Sequence, residues 1–122
     1  MYNTSSNATI IRINRGDSFE KPLFINNGDC LNPERHIIED DEKVYFGVRE
    51  PNKFWEQSII KQIYTSESEK TEDGDLIIKI NPNETEYLIP GTYYYEIKLV
   101  KYENDEVERV RTVVPLTLFY IL

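Results

Sequence analysis

The residues that could carry out catalysis in this chain are few. Cys30 and His36 are the only cysteine and the only histidine, and both lie in a polar stretch between residues 30 and 42. A thiol beside an imidazole base would form an activated nucleophile, but the sequence places no further group that would orient the imidazole. We therefore interpret His36 as a surface histidine and Cys30 as a small core residue, which is a common setting for free cysteine.

Two acidic runs supply oxygen atoms of the kind that bind Ca²⁺. They are Glu39-Asp40-Asp41-Glu42 and Glu72-Asp73-Gly74-Asp75. Neither has the alternating ligand positions and central glycine of an EF-hand loop, so solvated loops are the favoured interpretation and a weak surface Ca²⁺ site is the alternative. The chain also lacks a glycine-rich phosphate loop with a lysine, a G-x-S-x-G motif and a C-x-x-C motif. We therefore predict that the protein is not an enzyme and uses no cofactor or metal ion.

Aromatic side chains are a third kind of candidate, because they stack on sugars and on nucleic-acid bases. Trp55 is the only tryptophan, and it follows Lys53 and Phe54. If this segment is a strand, Phe54 and Trp55 point to opposite faces, and one of them lies outside the core. The favoured interpretation is that Trp55 anchors the core or an edge strand, and the alternative is a ligand-stacking role.

The end of the chain is apolar on both faces of a predicted strand. In residues 115–122, leucines and Tyr120 on one face alternate with Phe119 and Ile121 on the other. Leaving such side chains in water costs about 25 cal/mol per Å², so they either close one end of the fold or meet a partner. We therefore predict partner contacts for Phe119, Tyr120, Ile121 and Leu122, together with Trp55. An apolar last strand would also permit self-association by edge pairing.

Length and charge narrow the possible partners. The 122 residues are predicted to form a single domain, residues 1–122. The formal net charge of −8 argues against nucleic acid and against a membrane surface; a solubilising surface is the favoured explanation and a basic protein partner the alternative. The N-terminal residues MYNTSSNATI lack the features of a signal peptide, and no apolar run approaches the roughly 20 residues of a membrane helix. We expect the chain to be made in a cytoplasm.

The elements that position these residues are predicted to be strands. Short runs of alternating or β-branched residues recur between turn signals, at residues 9–14, 18–26, 43–50, 54–65, 75–81, 92–102 and 107–122. Asn81, Pro82 and Glu84 predict one helical turn, with Asn81 as N-cap and Glu84 as its capping-box partner. The pattern predicts an all-β, antiparallel two-sheet sandwich of about seven strands, with a small closed barrel as the alternative.

The sequence Arg15-Gly16-Asp17 lies between the first two predicted strands. The tripeptide is an integrin-binding signal in adhesion proteins, where it must project on a long exposed loop. Here only residues 14–18 separate the two strands, and Gly16 can supply the positive φ that a tight reversal needs. We therefore predict a structural turn in which Gly16 is critical to the fold.

Residues 75–97, DLIIKINPNETEYLIPGTYYYEI, resemble the segment of immunoglobulin-like domains that joins two strands through a helical corner. The resemblance implies that Tyr93, which follows Gly91-Thr92, forms a tyrosine corner by bonding to backbone a few residues upstream. Tyr95 stands where that family has a cysteine, so aromatic packing would replace the inter-sheet disulfide. We therefore expect an immunoglobulin-like sandwich in which Tyr93 and Tyr95 are critical to the fold.

Most of the chain also resembles small structural proteins of tailed bacteriophages and prophages of low-GC Gram-positive bacteria. The likeness lies in RGDSF after the first strand, in an acidic stretch before VYFGVR, and in LIPGTYYYEIKL. It implies a non-enzymatic virion component, made in the host bacterial cytoplasm, that contacts major capsid, tail or baseplate proteins, with capsid decoration slightly favoured. Two alternatives stay open: a carbohydrate- or cell-surface-binding module, and a small acidic inhibitor of a host protein.

Overall fold

The computed structural model describes residues 9–28 and 31–122, and this part of the chain consists mainly of strands. The strands are β1 (Ile11–Ile13), β2 (Phe19–Leu23), β3 (Glu42–Arg49), β4 (Ile60–Tyr64), β5 (Leu76–Ile80), β6 (Gly91–Glu103) and β7 (Glu106–Ile121). A 3₁₀ turn (Trp55–Gln57) precedes β4, and a one-turn helix, α1 (Pro82–Thr85), precedes β6.

The strands form two sheets. One has five strands in the order β1-β7-β6-β3-β4, and the other pairs β2 with β5. The predicted all-β sandwich of seven strands in two sheets is therefore confirmed. One detail differs from the prediction: β1 runs parallel to β7, whereas the other pairs are antiparallel. The reason is that β1 continues into β2 of the other sheet, so no hairpin ties its direction to that of β7.

The core lies between the two sheets and is apolar and aromatic. Val44, Phe46 and Val48 of β3 are fully buried, as their alternation predicts. Tyr95 is also buried, with its ring centroid 5.9 Å from that of Phe46 and 6.2 Å from that of Phe119. Tyr95 is therefore held in the core by aromatic packing, as predicted.

Two buried tyrosines fix neighbouring backbone through their hydroxyl groups. The Tyr93 hydroxyl donates to the Ile89 carbonyl oxygen at 2.5 Å, which confirms the predicted tyrosine corner. The Tyr95 hydroxyl donates to the Thr9 carbonyl oxygen at 2.6 Å and so ties the segment before β1 to β6. Burial raises the pKa of both hydroxyls.

The helix α1 is the predicted helical turn. Its Glu84 side chain accepts a hydrogen bond from the Asn81 N–H at 2.8 Å, which is half of a capping box. Thr85, the last residue of α1, is fully buried. The turn therefore places a hydroxyl group inside the end of the sandwich.

The Arg15-Gly16-Asp17 sequence forms a tight turn between β1 and β2, as predicted. The Asp17 N–H donates to the Asn14 carbonyl oxygen at 3.0 Å, and Gly16 has a φ of +85°, a conformation that strains any other residue. The Gly16 N–H donates to Thr85 Oγ1 at 2.9 Å. The turn thus carries the chain from one sheet to the other and fastens it to α1.

The predicted strand at residues 54–65 is only partly correct, because β4 begins at Ile60. Before it, the Phe54 N–H donates to the Gln57 side chain at 3.0 Å, and the Ser58 N–H donates to the Trp55 carbonyl oxygen at 3.0 Å. These local bonds replace strand pairing in this segment. Since the 3₁₀ turn is not extended, Phe54 and Trp55 do not alternate across a sheet.

Candidate protein-interaction surface

The C-terminal residues predicted to bind a partner divide between core and surface. Phe119 is 0% exposed and Ile121 is 2% exposed, so both pack between the sheets and offer no surface to a partner, which corrects their predicted role. They are drawn inward because β1 pairs with this end of β7 and closes the sandwich. Tyr120 is half-buried with the Arg12 guanidinium 5.3 Å from its ring centroid, and Leu122 is exposed.

The free edge of β7 is poorly suited to the edge pairing that an apolar last strand would permit. β1 covers residues 119–121, and Pro115 has no N–H to donate to a further strand. The pairing of β7 with β6 is interrupted by three register irregularities, and such bulges twist an edge away from a new partner. These features favour contacts through the face of the sheet over contacts through its edge.

Trp55 lies on the outer face of the five-stranded sheet, the face turned away from the core. Its ring rests on Gly47 of β3, where an added Cβ would lie 2.1 Å from Cζ3 of the indole. The Tyr45 ring stands at 79° to the indole, with the ring centroids 6.2 Å apart. Trp55 is half-buried, so the sheet holds one side of the indole while the rest is open to solvent.

A groove of about 540 Å³ lies beside Trp55 on this outer face. The residues that line this outer-face groove are Tyr45, Trp55, Glu56, Lys98, Val100, Tyr102, Val107 and Val110. The hydroxyl groups of Tyr45 and Tyr102 hydrogen-bond to each other. This bond is the largest cause, and burial the second, of a rise in the pKa of Tyr45 to about 12. Because the two hydroxyl groups bond to each other, the surface of the groove is mainly apolar and aromatic.

Two acidic depressions adjoin the outer-face groove. The first shares Tyr102 with the groove, and the second shares Val107. Six carboxylates line the depressions, and we call them the acidic rim: Asp40, Asp41, Glu103, Asp105, Glu106 and Glu108. Within the described ranges, Asp41 is the one rim residue with an ion-pair partner, Lys101 at 3.7 Å. The groove therefore leads directly into negatively charged surface.

His36 is not the surface residue that the sequence predicts. It is half-buried, with Nε2 2.7 Å from Oε1 of the buried Glu42. The same oxygen accepts a hydrogen bond from the Glu39 N–H at 2.8 Å. Ligand atoms of these three residues lie within 4.8 Å of one another, the one such group among residues 9–28 and 31–122, but the bonds of Glu42 give it a structural role in holding the loop before β3. The predicted core position of Cys30 lies outside the described residues.

Asp75, in the second acidic run, is also not solvated as predicted. It is buried and accepts hydrogen bonds from Arg35 Nε at 2.7 Å and Nη2 at 3.3 Å. The bond to Asp75 raises the pKa of the Arg35 guanidinium, which lies 5.1 Å from the Phe24 ring centroid. This ion pair fastens the loop after β2 to the start of β5. Glu72 and Asp73 are exposed, as predicted for this run.

The predicted pattern does not anticipate the outer-face groove, although the sequence contains two signals for it. Val100 and Tyr102 continue the outward-facing positions of β6, where a solvated face would carry polar residues. Val107 and Val110 do the same on β7. A second signal, a glycine at position 47 in the middle of a strand, indicates a close approach but does not name Trp55 as the group that approaches.

Compared with protein-family models and with curated protein sequences, the chain matches none. In the part of the chain that the structure describes, no helix is long and apolar enough to cross a membrane.

Proposed function

We propose that this protein is a non-enzymatic docking module, and specifically an accessory subunit of a tailed-bacteriophage virion that attaches to capsid, tail or baseplate proteins. The observation that carries the proposal is the outer-face groove, where aromatic rings and two half-exposed valines lie open on a sheet. Contiguous apolar surface of this kind marks interaction sites. The resemblance of RGDSF and LIPGTYYYEIKL to phage structural proteins supports the virion assignment, with capsid decoration favoured.

The ionisable side chains support a structural role over a catalytic one. Arg49 and Glu96 form an ion pair at 2.6 Å, and Arg35 and Asp75 form another at 2.7 Å. A general acid or base acts from a position next to a substrate, but these groups are occupied by one another. The same holds for the buried Glu42, whose bonds hold its loop.

Quantitative mass spectrometry of purified phage particles tests the virion role. We expect the chain in a fixed ratio to capsid or tail subunits, and electron microscopy of the same particles would locate it on the head or the tail. Abundant chain in the lysate with none in the particles would exclude this function.

A matched pair of variants tests whether the outer-face groove is the docking surface. Val110→Glu places a charge in the groove at a side chain that is 52% exposed, so we expect it to fold but to be lost from particles. Ile89→Glu makes the same kind of change at an exposed residue near the opposite end of β6 and should be retained. Equal incorporation of the two variants would exclude the groove as the docking surface.

A second candidate function is carbohydrate binding, which the half-exposed indole of Trp55 beside Tyr45 favours. Sugar rings stack on aromatic faces of this kind in carbohydrate-binding proteins. A glycan array would then show binding that is lost in Trp55→Ala while circular dichroism shows an intact fold. An array without any binding would exclude this function.

A further inference from the structure

The outer-face groove and the acidic rim form one continuous surface of two chemistries. We infer that this surface binds a basic and apolar segment of a partner protein, with a large apolar side chain in the groove and lysine or arginine residues over the rim. The inference rests on the proposed function in taking the partner to be a protein, and it adds the chemistry by which that partner is recognised.

The negative charge of this surface favours a basic partner. Seven carboxylates, namely the acidic rim and Glu56, stand against two lysines, Lys43 and Lys98, among the residues that line the groove and the two depressions. Most of the rim carboxylates have no ion-pair partner in the described ranges. A partner without positive charge would remove these carboxylates from water without compensation, which disfavours binding.

The apolar and acidic parts cannot be engaged separately. Val107 is 57% exposed and lines both the outer-face groove and the second depression, where Glu106 and Glu108 line the same surface. Any partner that covers Val107 therefore comes close to both carboxylates. This coupling predicts that the apolar and basic groups of the partner lie within a few residues of each other.

A second copy of the chain is a poorer occupant of this surface. A two-fold contact buries the same patch on both copies, so two acidic rims would come close together. Like charges placed across an interface oppose association. Nucleic acid is disfavoured for the same reason, because its phosphates are negative.

The test titrates the ¹⁵N-labelled full chain with two synthetic peptides of equal length. Both carry a central Trp-Leu pair, which is flanked by lysines in one peptide and by glutamates in the other. We expect the lysine peptide to shift the amide signals of Tyr45, Tyr102 and Val110 and to bind at least about tenfold more tightly than the glutamate peptide, with the difference shrinking at high salt. Equal affinities, no binding of either peptide, or shifts confined to other parts of the chain would overturn the inference.

Charge-reversal variants of the protein test the same inference. The double variant Glu106→Lys with Glu108→Lys changes two rim carboxylates and should weaken binding of the lysine peptide by about tenfold or more. The control, Glu20→Lys with Glu72→Lys, makes the same change of charge at exposed residues away from the groove and should bind normally. Equal affinities of these two variants would overturn the inference, as would concentration-dependent shifts of the groove amides without peptide, which would assign the surface to a second copy.

Failure of this inference can be told apart from failure of the proposed function. If particles contain the chain and incorporate the Glu106→Lys, Glu108→Lys variant at the normal level, the virion role is supported and binding of a basic partner segment is excluded. If the chain binds the lysine peptide but is absent from particles, recognition of a basic and apolar segment is supported and the virion role is excluded.

Discussion

The two faces of the five-stranded sheet are built from the same strands but differ in what their side chains do. On the inner face Phe46 lies opposite Ile97, and both are buried. One residue away on the outer face, Tyr45 lies opposite Lys98 beside the open groove. The inner face must be apolar for the two sheets to pack, whereas folding sets no such requirement on the outer face. The aromatic and valine content of the outer face is the basis of the docking role proposed for the groove.

The largest expected effect is on the inner face. Phe46→Ala removes a fully buried ring and should lower the free energy of unfolding by about 3–5 kcal/mol. Val110→Ala, on the outer face, should lower it by no more than about 0.5 kcal/mol, because the side chain is half exposed. Denaturant unfolding of both variants checks the comparison, and similar losses would show that the two faces do not differ as described.

The turn between the sheets should give the next largest effect. Gly16→Val forces a β-branched residue into a φ of +85° and should cost about 1–3 kcal/mol of stability. Asp17→Glu changes an exposed side chain in the same turn and should stay within about 0.5 kcal/mol of the native chain. Comparable stabilities in thermal unfolding would contradict a structural role for this glycine.

A smaller effect is expected where the outer face is closely packed. Gly47→Ala places a Cβ 2.1 Å from the Trp55 ring, so the indole must move, at a cost of about 1–2 kcal/mol. Because Trp55 is the only tryptophan, its fluorescence should shift to the red as it becomes more exposed. In a Trp55→Ala background the same substitution should cost almost nothing, and an unchanged cost there would contradict the contact.

The smallest effect is a pH dependence on the outer face. The pKa of Tyr45 rises from 10.0 to about 12 through its bond to Tyr102 and its burial. The folded state therefore holds this proton more tightly than the unfolded state, so the stabilisation is complete below pH 10 and is lost as the pH rises toward 12. The Tyr45→Phe variant should lose less stability than the native chain between pH 10 and 12. The other tyrosines whose pKa is raised are present in both proteins and contribute equally to both. Parallel pH profiles of unfolding would contradict the assignment.

The inner face and the turns could be predicted because their signals are local. Val44, Phe46 and Val48 show strand alternation directly. Gly16 and the residues around Asn81 carry turn and cap chemistry within a few positions. The parallel pairing of β1 with β7 could not be predicted in this way, because it depends on where the two ends of the chain meet.

The outer-face groove and the Arg35–Asp75 ion pair could not be predicted fully because both depend on contacts between residues that are distant in the sequence. Trp55 belongs to a 3₁₀ turn that interrupts a segment of strand-like composition. Its indole packs on β3 because Gly47 has no side chain at the point of contact. Asp75 is buried and paired with Arg35, which lies forty residues earlier in the chain. Sequence patterns identify such residues as loops or solvated charges, since their partners are set by the tertiary fold.

The most direct test of the docking surface is hydroxyl-radical footprinting of intact particles against the free chain. If a partner covers the outer-face groove, Trp55 and Tyr102 will be oxidised several-fold more slowly in the particle. Tyr87, which is 89% exposed beside α1, serves as an internal reference and should react equally in both. Equal oxidation of Trp55 and Tyr102 in particle and free chain, in particles shown to contain the protein, would contradict the account.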